Sequence, residues 1–486
     1  MLNRRSFLSS AAAFAVFGTS LARAATELPV DPVSFFNKMK RALDPVPLDP
    51  ATRASRISWL AAHAAPLRSI DIADDDFADL EAFGKAVGDA RIVMLGEQTH
   101  GDGATFLAKG RLIRFLHERM GFDVLAFESG IYEMRKVWER MRQGEAARTA
   151  ARRGIFGVWT RSQEMQPVID YVGKRAHSSR PLELTGFDSQ FSGSASGDFL
   201  MNDLVAFLAA HSIDTASIAD WPRFRAVIEE KIMDVWNVEK KPSAEEHRLV
   251  LTTLDALIAR IATIDGYEAR FWRQVFKGVK VYAQDRFEYS TDQEPSILDN
   301  NPRDAAMADN LIWLARDVYP RRKIIVWAAT FHNMRNPQAI DSETPDLPFG
   351  ELTTMGHIVW QALGSEIFNV GFTAHGGEHG WVGAKPTPLD PPPVGSLEDV
   401  WGGTAQQHAF LDLRRTPAGG EWLQAPLLSQ ALFHMPLMAD WSQVLDAMVF
   451  IRTMRPSTLV DSKSMAAEPP SRRLPFAPRL RGIRPA

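Results

Sequence analysis

The 486-residue chain contains no cysteine. Disulfides, thiolate metal sites, a cysteine nucleophile and lipid attachment through sulfur are therefore all excluded. A basic excess is missing as well, since the formal net charge is −4. Such a chain offers no positive field to nucleic acid. Beyond the N-terminus, no apolar run is long enough to span a bilayer, which predicts no transmembrane anchor. A Gly-x-Ser-x-Gly nucleophile elbow is missing too. The nearest candidate, Gly193-Ser-Ala-Ser-Gly197, has alanine at the central position.

What the chain does have begins at its N-terminus. Arg4 and Arg5 precede a small and apolar run from Ala11 to Leu21, and Ala22-Arg-Ala24 supplies small residues where a signal peptidase reads. This pattern predicts a twin-arginine signal peptide over 1–24, and a periplasmic or secreted protein that uses the twin-arginine export machinery. Removing Arg4, Arg5 and Arg23, with no acid among them, lowers the formal charge to −7. A mature chain of this size can bury enough surface to dispense with disulfides. Its 13 Trp, 28 Phe and 17 Met are compatible with a roomy apolar pocket, although core packing accounts for most of them.

Five short apolar runs end near polar or ionisable residues. Arg91–Leu95 leads into Glu97, Asp123–Phe127 into Glu128, and Pro181–Thr185 into Asp188. Lys323–Ala328 leads towards His332, and Ile367–Phe372 towards His375. Continuous apolar runs suit strands covered on both faces, as in a parallel sheet. Between the first two, Gly103–Met120 reads as a helix with Phe106, Lys109, Ile113 and Leu116 on one face and Gly121 as its stop. A second helix is expected from Asn301-Pro302, with Asn301 as cap and Met307, Leu311, Leu314 and Val318 facing the core.

The expected fold is thus α/β, a mostly parallel central sheet flanked by helices. A helical insertion or subdomain is predicted over 198–290, where Ala, Leu, Arg, Glu and Lys recur at helical spacing. It would divide the α/β domain into parts over 25–197 and 291–461. The Pro- and Arg-rich tail, 462–486, is expected to be extended or disordered.

In an open parallel sheet, ligands bind beyond the carboxyl ends of the strands. Glu97, His100, Glu128, Asp188 and His332 all follow such ends, which makes a shared cleft the natural inference. Gly96 and Gly101 bracket Glu97 and His100, and a three-residue spacing across a turn can aim a carboxylate and an imidazole at one point. A carboxylate beside an imidazole holds its tautomer and raises its basicity, as a general base near neutral pH requires.

The run Ile92-Val-Met-Leu-Gly-Glu-Gln-Thr-His-Gly101, followed by Arg111–Leu116 and Gly121–Glu128, resembles the erythromycin esterase family. Trp159-Thr-Arg161, Gly186-Phe-Asp188, Arg303-Asp304, Lys323–Ala328 with His332, and Thr354-Met-Gly356 extend the likeness from about Ile92 to about Leu413. The resemblance implies hydrolysis of a carboxylic ester or lactone without a serine nucleophile and with no required cofactor. His100 would be the general base, Glu97 and Glu128 would orient and support it, and His332 would bind the carbonyl or protonate the leaving oxygen. Lys109, where the family has Arg, would stabilise the oxyanion, and Asp188 and Arg303 would help to bind a small-molecule ester or lactone. Ala104 stands where Glu is frequent in the family, and Ala329 and Thr330 replace a His-Asn pair. These departures bear on macrolide hydrolysis, and so on antibiotic resistance, more than on the fold.

Two other readings use the same residues. A periplasmic binding protein would hold a divalent metal or haem through Glu97, His100, Glu128 and His332, and an inactive relative would keep the fold without the reaction. His375-Gly-Gly-Glu-His379 reads as a loop, because its glycines oppose a helix that would align both rings, and His117 reads as a surface residue.

Overall fold

The computed structural model describes residues 48–234, 240–288, 296–341 and 347–460. The expected signal peptide over 1–24 and the tail over 462–486 lie outside the described residues. The strands, in chain order, are β1 (Ala65–Pro66), β2 (Ile92–Leu95), β3 (Phe122–Gly130), β4 (Glu183–Asp188), β5 (Lys323–Trp327), β6 (Ile367–His379), β7 (Thr387–Pro388), β8 (His408–Asp412), β9 (Leu427–Leu432), β10 (Met435–Ala439) and β11 (Ala447–Met454).

The main sheet runs in the order β1-β8-β11-β6-β2-β5-β3-β4. From β11 to β4 the pairings are parallel, with Ile92 of β2 opposite Ile324 of β5 on one side and Ile367 of β6 on the other. The edge beyond β11 turns antiparallel, through β8 and β1, and the short β7 pairs antiparallel with the end of β6. The fold is therefore α/β, with a largely parallel central sheet flanked by helices.

Alternation along the strands explains the layers, because successive side chains point to opposite faces of a sheet. Ile92, Met94, Val124, Ala126, Ile324 and Val326 face one way. They pack with residues of the helices Ala195–Ala210, Trp221–Val227, Ala244–Ile261, Tyr267–Glu288, Asn301–Trp313 and Met355–Leu363. Val93, Leu95, Leu125, Phe127, Ile325 and Trp327 face the other, under the helices Glu81–Val87, Gly103–Met120, Ile131–Arg142 and Gln166–Arg175. Each fully buried large apolar side chain contributes about 1.5–3 kcal/mol of transfer free energy, so both faces must be covered at once. The segment expected as a helical insertion supplies much of one cover, and its core is continuous with that of the sheet.

The helix Gly103–Met120 ends where expected. Gly121 takes a left-handed conformation (φ 76°) and its N–H closes on the Leu116 carbonyl. The cap of the helix Asn301–Trp313 differs from expectation. Asn301 lies inside the helix and ties itself to the 351–353 loop, its Oδ1 accepting from Thr353 N–H at 2.8 Å. Capping falls to Ser296, whose hydroxyl opens the preceding 3-10 turn. Its core face is otherwise as read: Met307, Leu311 and Leu314 are buried and Val318 is half-buried.

Two histidine readings are corrected. His117 is buried rather than at the surface, with Nδ1 2.6 Å from the Tyr171 hydroxyl. The 375–379 run is part of β6 and not a loop. Glycines oppose a helix there, but they do not prevent an extended strand, and pairing with β11 supplies the backbone hydrogen bonds. Among the described residues, no helix is long and apolar enough to cross a membrane.

Candidate active site

Strand order assembles the site. β2, β5, β3 and β4 are consecutive neighbours and parallel, so their carboxyl ends lie along one edge. The chain segment after β2 carries Glu97 and His100. The short helix Thr330–Asn333 after β5 carries His332, Glu128 lies near the end of β3, and Asp188 ends β4. Gly96 is required by close approach: a methyl group there would collide with the Thr330 hydroxyl. The same proximity lets Thr330 N–H donate to the Glu97 carbonyl at 2.8 Å, locking the two loops together.

Glu97 is fully buried and accepts three hydrogen bonds. His100 Nδ1 lies 2.7 Å from Oε1, Trp159 Nε1–H donates to the same oxygen at 3.0 Å, and Lys109 Nζ donates to Oε2 at 2.7 Å. A carboxylate only accepts, so the shared proton sits on His100 Nδ1 and the Nε2 lone pair is left free. Phe156, Trp159 and Trp381 surround the ring at centroid distances of 6.0, 5.2 and 5.6 Å. Lys109 also lies 3.8 Å over the Trp327 ring. Burial pushes its ammonium down to about 8 against the opposing pull of Glu97.

His332 forms a second dyad of the same kind. Its Nδ1 lies 2.9 Å from Asp304 Oδ2, and Asp304 is fixed in turn by Met355 N–H at 2.7 Å. The Nε2 edge faces Arg303 Nη1 at 3.1 Å and Glu128 Oε1 at 3.4 Å. Burial opposes protonation of His332, but Asp304 and Glu128 outweigh it and raise the imidazole above its ordinary value. Glu128 moves the other way. Despite burial, His332 and Arg303 hold its carboxyl down at about 2.

Arg303 ties the second half together. It grips Asp188 with Nε at 3.1 Å and Nη2 at 2.6 Å, and reaches Glu128 Oε1 at 2.9 Å. Asp188 is therefore committed to holding Arg303. Ala329, the residue standing in place of a histidine, serves through its backbone: its N–H donates to Glu128 Oε2 at 2.9 Å.

All seven residues singled out from the sequence, Glu97, His100, Lys109, Glu128, Asp188, Arg303 and His332, are buried at this strand edge. Two working partners were not singled out. Asp304 adjoins Arg303 and Trp159 lies in a quoted segment, but only the folded chain brings them to His332 and Glu97. Ser196 of the rejected elbow donates to the buried Glu133 at 2.8 Å. Of the quartet considered for a metal, Glu97 and His100 form the first dyad, whereas His332 gives its Nδ1 to Asp304 and Glu128 is held by Arg303 and the Ala329 N–H. Among the described residues, the three ligand atoms that do converge belong to Asp102, His379 and His434.

A family model described as erythromycin esterase matches residues 117–454. The match covers Glu128, Asp188, Arg303 and His332 and begins after Glu97 and His100. The chain is 24% identical over 418 residues to the putative hydrolase YbfO of Bacillus subtilis (strain 168), covering 83% of this chain and 92% of that one. It is 22% identical over 388 residues to erythromycin esterase type II of Escherichia coli, covering 71% of this chain and 85% of the relative. A histidine-to-asparagine mutant of the erythromycin esterase EreC, solved in its open conformation, superposes with a TM-score of 0.60 at 18% identity, over 81% of this chain and 98% of that one.

Proposed function

The chain belongs to the erythromycin esterase family, a family of hydrolases that work without a cofactor, and we propose that it cleaves a carboxylic ester or lactone by water activated at His100. The observation that supports this most is the pair of buried imidazoles, each with Nδ1 held by its own carboxylate at neighbouring strand ends.

In this reading, His100 Nε2 takes a proton from water as the water oxygen adds to the carbonyl carbon. Glu97 stabilises the imidazolium so formed, and Lys109 and Trp159 fix Glu97. Lys109 thus acts through Glu97, which accounts for its burial better than direct contact with an oxyanion. Arg303 Nη1 and the His332 edge lie where the carbonyl oxygen would gain charge. Collapse of the tetrahedral intermediate breaks the C–O bond, and the leaving oxygen takes a proton from His332 in its imidazolium form, which Asp304 and Glu128 favour. The products are the acid and the alcohol, joined within one molecule if the substrate is a lactone.

The test is incubation with a panel of macrolides, simple lactones and alkyl esters, with and without chelator, scored by mass spectrometry for addition of one water. Turnover that persists in chelator supports the reading, and a panel without any product defeats it.

A pH dependence follows from Lys109. Its charge is lost above about 8, and the support of Glu97 weakens with it, so kcat/KM is expected to fall along an alkaline limb centred there. Lys109→Arg stays charged and should carry activity to higher pH. A wild-type profile flat to the limit of stability would remove Lys109 from this role.

Delivery outside the cytoplasm, where such a substrate would be met, is part of the proposal and rests on the leader alone. Replacing Arg4 and Arg5 together by lysine is expected to retain the protein in the cytoplasmic fraction. Unchanged export would exclude the twin-arginine route.

A further inference from the structure

Three elements distant in sequence meet behind the His100 loop. Asp102 precedes the helix Gly103–Met120, His379 ends β6, and His434 lies in the turn between β9 and β10. One ligand atom from each lies within 4.8 Å of the other two. Asp102 and His379 are buried, at 0% and 5% exposure, and His434 is half-buried.

Each member departs from ordinary structural use. Asp102 occupies the N-cap position of an 18-residue helix yet makes no side-chain capping bond. Its carboxylate instead accepts Thr99 N–H at 2.7 Å and faces His434 Nε2 at 2.8 Å. His379 Nδ1 is buried and has no hydrogen-bond partner, although an imidazole nitrogen out of water ordinarily finds one. The two histidine rings lie 5.0 Å apart at 52°, so they do not stack. Phe433 and His434 both take left-handed backbone conformations, with φ 54° and 55°. A non-glycine residue adopts such a conformation only where the surrounding structure holds it.

The donor set suits a cation: a buried imidazole nitrogen without a partner, a second imidazole and a carboxylate are groups of the kind that ligate metal.

We propose that Asp102, His379 and His434 bind one divalent transition-metal ion, with Zn2+ the best match, as a clamp outside the reacting centre. Two imidazoles and a carboxylate suit Zn2+ in four coordination with one further ligand, and a site with two nitrogens discriminates against Mg2+. The ion would pin the loop that positions His100. Asp102 is two residues from His100, and the intervening Gly101 carbonyl already accepts Gly380 N–H at 3.1 Å and Ser457 N–H at 2.9 Å. A methyl group on Gly101 would come within 2.7 Å of the Gly380 carbonyl carbon. Metal at this point would join the helix start, the end of β6 and the β9–β10 turn. None of this rests on the proposed reaction.

The test uses the full mature chain, stripped with chelator and titrated with ZnCl2 by calorimetry, with bound metal counted after dialysis. One Zn2+ per chain is expected, with a rise in Tm of several degrees at saturating metal and no response to MgCl2. His379→Gln and His434→Gln should each weaken binding about 100-fold or more. Co2+ bound to the wild type provides a readout independent of how the variants fold. Intense visible d–d bands of four-coordinate Co2+, displaced by Zn2+, are expected. No stoichiometric Zn2+ on the wild type, binding unchanged in both variants, or a spectrum of hexa-aquo Co2+ would each overturn the assignment.

Discussion

His100→Ala is expected to lower kcat/KM for the hydrolysed ester by about 10²–10⁴, the range that a positioned general base contributes, with the fold retained. His100 is the one group of its cluster with a free lone pair. Glu97 is engaged by His100, Trp159 and Lys109, and the last two are donors. Truncation leaves a small gap between Phe156, Trp159 and Trp381, which costs stability but breaks no strand. Circular dichroism and thermal unfolding of the variant should therefore resemble the wild type while product formation collapses. His332→Asn serves as the contrast. It removes the proton offered to the leaving oxygen, so its deficit should shrink for esters of acidic alcohols, whose leaving groups need little protonation. A His100→Ala enzyme at near wild-type rate would place water activation elsewhere. Equal leaving-group sensitivity in both variants would dissolve the division between base and acid.

Arg303→Ala is expected to be the most destabilising single truncation at the site, by about 3–5 kcal/mol, because removal of one partner leaves buried charge uncompensated. Arg303 is 9% exposed and holds Asp188 and Glu128 together. Denaturant midpoints measure the loss, and Asp188→Asn added to Arg303→Ala should recover part of it by removing one orphaned charge. The pH dependence has a definite sign. Glu128 is held near 2 in the folded chain, against an ordinary value of 4.5. Its contribution to wild-type stability is thus present above about 4.5 and lost as pH falls towards 2. Without Arg303, Glu128 loses one of the two cations that oppose its burial and is protonated more readily, so the deficit of the variant should narrow as pH falls. A loss below about 1 kcal/mol that does not vary with pH would show that solvent reaches these groups.

Much of the site was legible because its residues follow strand ends, and strand ends are written locally. Ile92–Leu95 and Lys323–Trp327 are apolar throughout, as central parallel strands must be, and Gly121 marks the helix end through its own backbone freedom. Spacing alone placed Glu97 and His100 together. Failures arose where local pattern was ambiguous between contexts. The glycines of 375–379 argue against a helix equally for a loop and for a strand, and pairing with β11 made the choice. His117 has charged neighbours in sequence, yet it lies on a helix face covered by the segment bearing Tyr171.

Composition and short-range pattern by themselves determined that this chain is an α/β protein without disulfides and that a set of ionisable residues follows the ends of particular strands. Hydrophobic periodicity, turn residues and caps act over a few positions and need no partner to be read. Tertiary structure alone decided that β5 enters between β2 and β3, that Asp304 rather than Glu128 holds His332 Nδ1, and that Arg303 reaches Glu128 across 175 positions. It alone gathered Asp102, His379 and His434. Contacts at such separations follow from the order in which strands pair and from the packing of whole faces, and no run of neighbouring residues encodes them.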